Sequence, residues 1–189
     1  SASSSDGPWL AGIFLSESTL ATNAGGIVSL RGQGRSWVTT NDGTNPNFSS
    51  SEGVLLSFST VKADGTGTVS VDGVGGVGAN GVNVGYGTAV ASTGGDVTLT
   101  GRGTDWTTDM PVAGTFGETG VSISSNATVN AGGDVRIQGT GGNLDAMRQS
   151  ADFARANRSA GRSNGVFIGG SVTAGNGRRI DITGKAGGE

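Results

Sequence analysis

Five segments of this chain can be laid one over another. Residues 12–32 read GIFLSESTLATNAGGIVSLRG, 53–73 GVLLSFSTVKADGTGTVSVDG, 81–101 GVNVGYGTAVASTGGDVTLTG, 120–139 GVSISSNATVNAGGDVRIQG and 165–184 GVFIGGSVTAGNGRRIDITG. Each unit has 20 or 21 residues, opens on Gly-Val or Gly-Ile and closes on glycine. No unit of that size can bury its own apolar side chains, so repetition at this period restricts the chain to stacked architectures.

Within each unit three short runs carry the apolar residues. The first places them two apart: Ile13 and Leu15, Val54 and Leu56, Val82 and Val84, Val121 and Ile123, Val166 and Ile168. The second contributes one: Leu20, Val61, Val90, Val129 and Val172. The third alternates again: Val28 and Leu30, Val69 and Val71, Val97 and Leu99, Val135 and Ile137, Ile180 and Ile182. A period of two sends these aliphatic side chains to one face of a strand and Ser, Thr, Asp or Arg to the other. Copies stacked in register, with strands about 4.8 Å apart, would join the aliphatic columns into a continuous interior. The expected fold is therefore all-β: a parallel β-helix, or solenoid, of about five coils. Right-handed winding is expected from the handedness of parallel crossovers.

The links between units are 33–52, 74–80, 102–119 and 140–164, and each follows the third strand, so all emerge at one corner. The whole of 1–189 then reads as a single solenoid segment, part of a longer repeat protein. Two links share the form G-x-G-x-x-W: Gly32-Gln-Gly34-Arg-Ser-Trp37 and Gly101-Arg-Gly103-Thr-Asp-Trp106. The shortest link gives GVGGVG, in which Gly73, Gly75 and Gly78 spell G-x-G-x-x-G. A dinucleotide turn would open a helix at once; here ANGVNVGYG enters another strand instead, so the glycines mark a coil corner. In the last link, Leu144, Met147, Ala151 and Ala154 are spaced as one face of an amphipathic helix.

The ten aromatic residues avoid the aliphatic columns altogether. Trp9, Trp37, Phe48, Trp106, Phe116 and Phe153 lie outside the units, Phe14 and Phe167 take outward strand positions, and Phe58 and Tyr86 sit at a turn. Trp37, Trp106, Phe48 and Phe116 are the candidate ligand or partner contacts, since exposed aromatics are enriched at interfaces.

Composition argues against most chemistry. Histidine and cysteine are both absent, which removes Ser-His-Asp catalysis, thiolate zinc sites and disulfides. Asp96 and Asp134 share a column with Ile27, Thr68 and Arg179, and Arg136 is expected to meet Asp181 only loosely in register. Such pairs fall short of the clustered carboxylates that a polysaccharide-cleaving β-helix needs. No catalytic, cofactor-binding or metal-ligating residue is therefore expected, and no cofactor. A net charge of −3 without a basic run argues against nucleic acid as a partner. No apolar stretch suggests insertion into a membrane.

The pattern GV-x-I-x-x-x-x-T-V-x-A-G-G-D-V-x-I-x-G resembles the repeats of filamentous-haemagglutinin-like and autotransporter-type adhesins, large Gly/Thr-rich bacterial surface proteins. It runs over nearly the whole chain, roughly 12–184. The resemblance implies a secreted, extracellular or cell-surface β-helical stalk engaged in attachment or fibre assembly, without enzymatic activity. Its partners would be further copies of itself through the solenoid ends, or other surface proteins. Two alternatives stay open: a β-helix that binds or degrades polysaccharide through its loop aromatics, with glycans as partners, and a filament subunit stacking end to end.

Overall fold

A computed structural model describes residues 11–41, 45–105, 119–143 and 163–187, with the backbone alone for 37–41 and 45–50. All regular structure among these residues is β. The first coil is β1 (Ile13–Ser16), β2 (Thr19–Thr22) and β3 (Val28–Gln33). A hairpin follows, β4 (Ser36–Asn41) and β5 (Asn45–Ser50). The second coil is β6 (Val54–Ser57), β7 (Thr60–Ala63) and β8 (Val69–Val77), and the third is β9 (Val82–Val84), β10 (Ala89–Ser92) and β11 (Val97–Thr104). The fourth is β12 (Val121–Ile123), β13 (Thr128–Ala131) and β14 (Val135–Thr140). The fifth is β15 (Val166–Ile168), β16 (Ser171–Ala174) and β17 (Ile180–Lys185).

Successive strands join different sheets. The order β1-β6-β9-β12-β15 makes one parallel five-stranded sheet, β2-β7-β10-β13-β16 a second and β3-β8-β11-β14-β17 a third. The chain is thus a five-coil parallel β-helix, as the repeat requires. Register follows the aliphatic columns: Val54 pairs with Val82, Val61 with Val90, and Leu99 with both Val71 and Ile137. A slip of one residue would send every one of these side chains into solvent.

In the three middle coils all fifteen column positions are no more than 1% exposed, from Val54 through to Ile137. Each such burial contributes about 1.5–3 kcal/mol before the entropy of ordering is set against it. In the first coil Val28 and Leu30 are buried, while Ile13, Leu15 and Leu20 are half-covered. In the fifth coil Ile168, Ile180 and Ile182 are 38%, 44% and 45% exposed. The second sheet adds an inward column the apolar pattern did not name, because small residues fill it: Thr22, Ala63, Ser92, Ala131 and Ala174. Ser92 is satisfied there; its hydroxyl donates to the Gly67 carbonyl and accepts the Gly95 N–H.

The glycines that open and close the units have a steric task. The third strand of one coil ends against the start of the next. A Cβ on Gly32, Gly73, Gly101 or Gly139 would collide with the carbonyl oxygen of Gly53, Gly81, Gly120 or Gly165 respectively. Two backbones lie in contact along this corner, and a side chain on either would drive them apart. GVGGVG belongs to that corner. β8 runs on through Val77 and pairs with β11 as far as Thr104 across an irregularity, with Gly78 turning the chain at a φ of 79°.

The first link is more than a simple loop. It is a two-stranded antiparallel ribbon, not foreseen in the sequence, whose register runs from Ser36 opposite Ser50 to Asn41 opposite Asn45. Its neck is closed by Arg35 and Ser51, which exchange backbone and hydroxyl hydrogen bonds of 2.8–3.2 Å. The helix expected between 144 and 154 lies outside the described residues.

Candidate functional site

The four aromatics singled out by sequence do not form one described cluster. Trp106 and Phe116 lie outside the described residues. Trp37 and Phe48 both fall on the β4–β5 ribbon, but register sets Trp37 opposite Ser49 and Phe48 opposite Val38.

A different aromatic pair stands on the outside of the helix. Phe58 and Tyr86, on adjacent coils, meet edge to face with ring centroids 5.6 Å apart. They are 56% and 51% exposed. Both occupy the turn between first and second strands. In the second coil Ser57–Ser59 bridges Leu56 to Thr60; in the third, Gly85–Thr88 bridges Val84 to Ala89, one residue more. Since Leu56 pairs with Val84 and Thr60 with Ala89, the extra residue must bulge outward, and it carries Tyr86 with it. The Tyr86 carbonyl accepts the Phe58 N–H at 3.1 Å.

Backbone conformation makes this turn unusual. Glu17 in the first coil has φ 49°, Phe58 in the second φ 48°, Gly87 in the third φ 67° and Asn126 in the fourth φ 60°. In these four coils the turn contains a left-handed residue, whereas the shorter Gly169–Gly170 turn of the fifth coil does not. Glycine and asparagine adopt that conformation readily, whereas a bulky side chain there costs about 1–3 kcal/mol. An edge-to-face pair returns about 0.5–1.5 kcal/mol, which largely offsets that cost and leaves Phe58 contributing little net stability at an exposed position. Gly87 provides the floor: a Cβ there would lie 2.9 Å from Phe58 Cδ1, so the ring rests against the bare backbone of the next coil.

A polar cluster stands at the corner where each coil begins. Glu52, Asn80, Thr119 and Asn164 precede the opening glycines, and their carbonyls accept the N–H groups of Gly12, Gly53, Gly81 and Gly120. Glu52 Oε1 accepts Asn80 Nδ2 at 3.0 Å and Asn83 Nδ2 at 2.6 Å, and Asn80 Oδ1 accepts the Thr119 N–H at 3.3 Å. Burial raises the Glu52 carboxyl above the usual carboxylate range; the two amide hydrogen bonds pull it down by less. Sequence reading did not single out Glu52. The available signal was the run of polar residues directly before Gly53, Gly81, Gly120 and Gly165.

The column containing Asp96 and Asp134 is built as expected, and its carboxylates have structural partners. Asp96 Oδ1 accepts the Asp134 N–H at 2.8 Å, and Asp134 Oδ1 accepts the Arg179 N–H at 2.9 Å. Arg136 and Asp181, expected to be loosely aligned, are directly paired in register and 3.9 Å apart. Arg31 and Asp72 repeat that arrangement at 3.9 Å on the first two coils. Among the described residues no three acidic side chains gather in a way that could hold a metal ion, and no helix is long and apolar enough to cross a membrane. The chain matches no protein-family model, no curated protein and no solved structure.

Proposed function

We propose that this chain is a non-enzymatic, extracellular attachment scaffold, a rigid coil stack that presents binding elements along its sides. One observation supports the reading above others. The inward columns hold aliphatic or small side chains from coil to coil, whereas what differs between coils lies outside those columns: the β4–β5 ribbon and the turn bearing Tyr86. In a solenoid, stacking is done by the repeat and selectivity by such departures from it. The resemblance to bacterial surface adhesins points the same way.

Replacing residues 35–50 by a short link tests it. The trimmed chain is expected to melt cooperatively near the parent temperature while its retention on polysaccharide-bearing cell surfaces falls. Undiminished retention, or collapse of the fold on trimming, would assign the ribbon a structural task instead.

A second reading rests on the fifth coil. Ile168, Ile180 and Ile182 belong to the interior columns yet stand substantially exposed, and the outer edge of β17 offers the same ladder that joins the coils below. A further coil of the same kind fits that face, from this chain or from another copy. Concentration-dependent lengthening of the particle in solution scattering would favour another copy.

A further inference from the structure

We propose that Phe58 and Tyr86 form a stacking platform for a neutral oligosaccharide lying along the solenoid axis. The inference builds on the attachment reading and supplies its ligand class. Three independent features carry it.

Phe58, like Glu17 in the first coil, is held in a left-handed conformation that the equivalent turns of the third and fourth coils give to Gly87 and Asn126, which adopt it readily. Its ring is half in solvent, so burial does not explain its presence. The turn of the third coil, like that of the fourth, is one residue longer than that of the second, and in the third this brings Tyr86 edge to face with Phe58 and leaves Gly87 bare beneath the ring. The aromatic surface is thus assembled from two coils at the expense of the local backbone.

The occupant follows from chemistry. An aromatic face is electronegative and attracts the weakly positive C–H face of a pyranose, while the hydroxyls at the sugar's rim seek polar partners. The same turn supplies such partners at both ends of the pair, with Glu17 one coil before Phe58, and Ser125 and Asn126 one coil after Tyr86. From the first coil to the fourth is three steps, about 14 Å at about 4.8 Å per step, the length of a short oligosaccharide. Glu17 and the net charge of −3 oppose an acidic glycan, which selects a neutral one.

The test is saturation-transfer NMR and titration calorimetry of the whole chain with cellohexaose, laminarihexaose and, as the anionic arm, trigalacturonic acid. At least one neutral hexaose is expected to bind, with trigalacturonic acid weaker by tenfold or more. Phe58→Asn and Tyr86→Ser should each weaken the neutral ligand at least tenfold. Phe58→Asn should melt no lower than the parent, because asparagine accepts the turn conformation; this separates lost binding from lost folding. Failure of both neutral hexaoses to bind, equal or tighter binding of trigalacturonic acid, or full binding by both variants would overturn the proposal. Hexaose binding without retention of chain-coated particles on cells would leave this site standing and remove the attachment reading; retention without binding of either hexaose would do the reverse.

Discussion

The Glu52 carboxylate and the Asn83 amide, 2.6 Å apart, tie the end of the first link to the outward face of the third coil. Burial raises the Glu52 pKa from its ordinary value of 4.5, so the folded chain holds this proton more tightly than the unfolded chain does. The contribution to stability is therefore full below the unfolded pKa and is lost as pH rises through the higher folded one. Glu52→Gln keeps an oxygen for both asparagine donors without a charge to desolvate. Its melting temperature should match the parent at pH 4 and exceed it at pH 7. Glu52→Ala, which strands two amide donors, should cost about 1–3 kcal/mol. An unchanged gap between Glu52→Gln and parent across that pH range would contradict the assignment.

The paired glycine ladders predict a sharp contrast between two identical substitutions. Gly101→Ala places a methyl against the Gly120 carbonyl oxygen inside the stack. Relief requires two backbones to separate, and the loss should exceed about 3 kcal/mol or prevent folding. Gly177→Ala meets nothing within 4 Å at a φ of 72°. It should cost only the left-handed penalty of about 1–2 kcal/mol. Urea unfolding of the two variants checks the difference.

Leu99 and Ile182 occupy the same inward column, two coils apart. Leu99 is fully buried, and Leu99→Ala should cost about 2–5 kcal/mol. Ile182→Ala removes a side chain that is already 45% exposed and should cost roughly half as much or less. Equal losses in chemical denaturation would mean that the fifth coil is covered in solution.

The aspartate ladder should show in amide exchange, with little effect on melting. Asp134→Ala removes the acceptor for the Arg179 N–H and an exposed ion partner 3.8 Å from Arg179. Exchange at the Arg179 amide should accelerate about fivefold, as expected for losing a hydrogen bond of about 1 kcal/mol, with the middle coils unaffected. Asp134→Asn keeps an acceptor and should retain most of the protection.

Much of this architecture is legible in the residues because a parallel stack repeats its constraints. The aliphatic columns, the closing glycines and the shared column of Asp96 and Asp134 each recur at fixed offsets, and a strand register is fixed by them. What depends on a single coil is harder to read. The β4–β5 ribbon lies within 33–52, outside the repeated apolar columns that reveal how the coils pair. Arg136 and Asp181 require the exact register between two strands before their alignment emerges. Phe58 and Tyr86 are visible as turn residues. Their contact depends on the one added residue in 85–88 and on a left-handed φ that Phe58 would not be expected to adopt. Trp37 and Phe48 attract attention by residue type, yet ladder register keeps them out of opposed positions.

The central claim, that the stack exists to hold one surface to another, is tested most directly under flow. Beads coated with the whole chain should be retained on polysaccharide-bearing cells well above bare beads, and soluble chain should compete them off. Retention no greater than that of bare beads, or retention that soluble chain fails to displace, would contradict it.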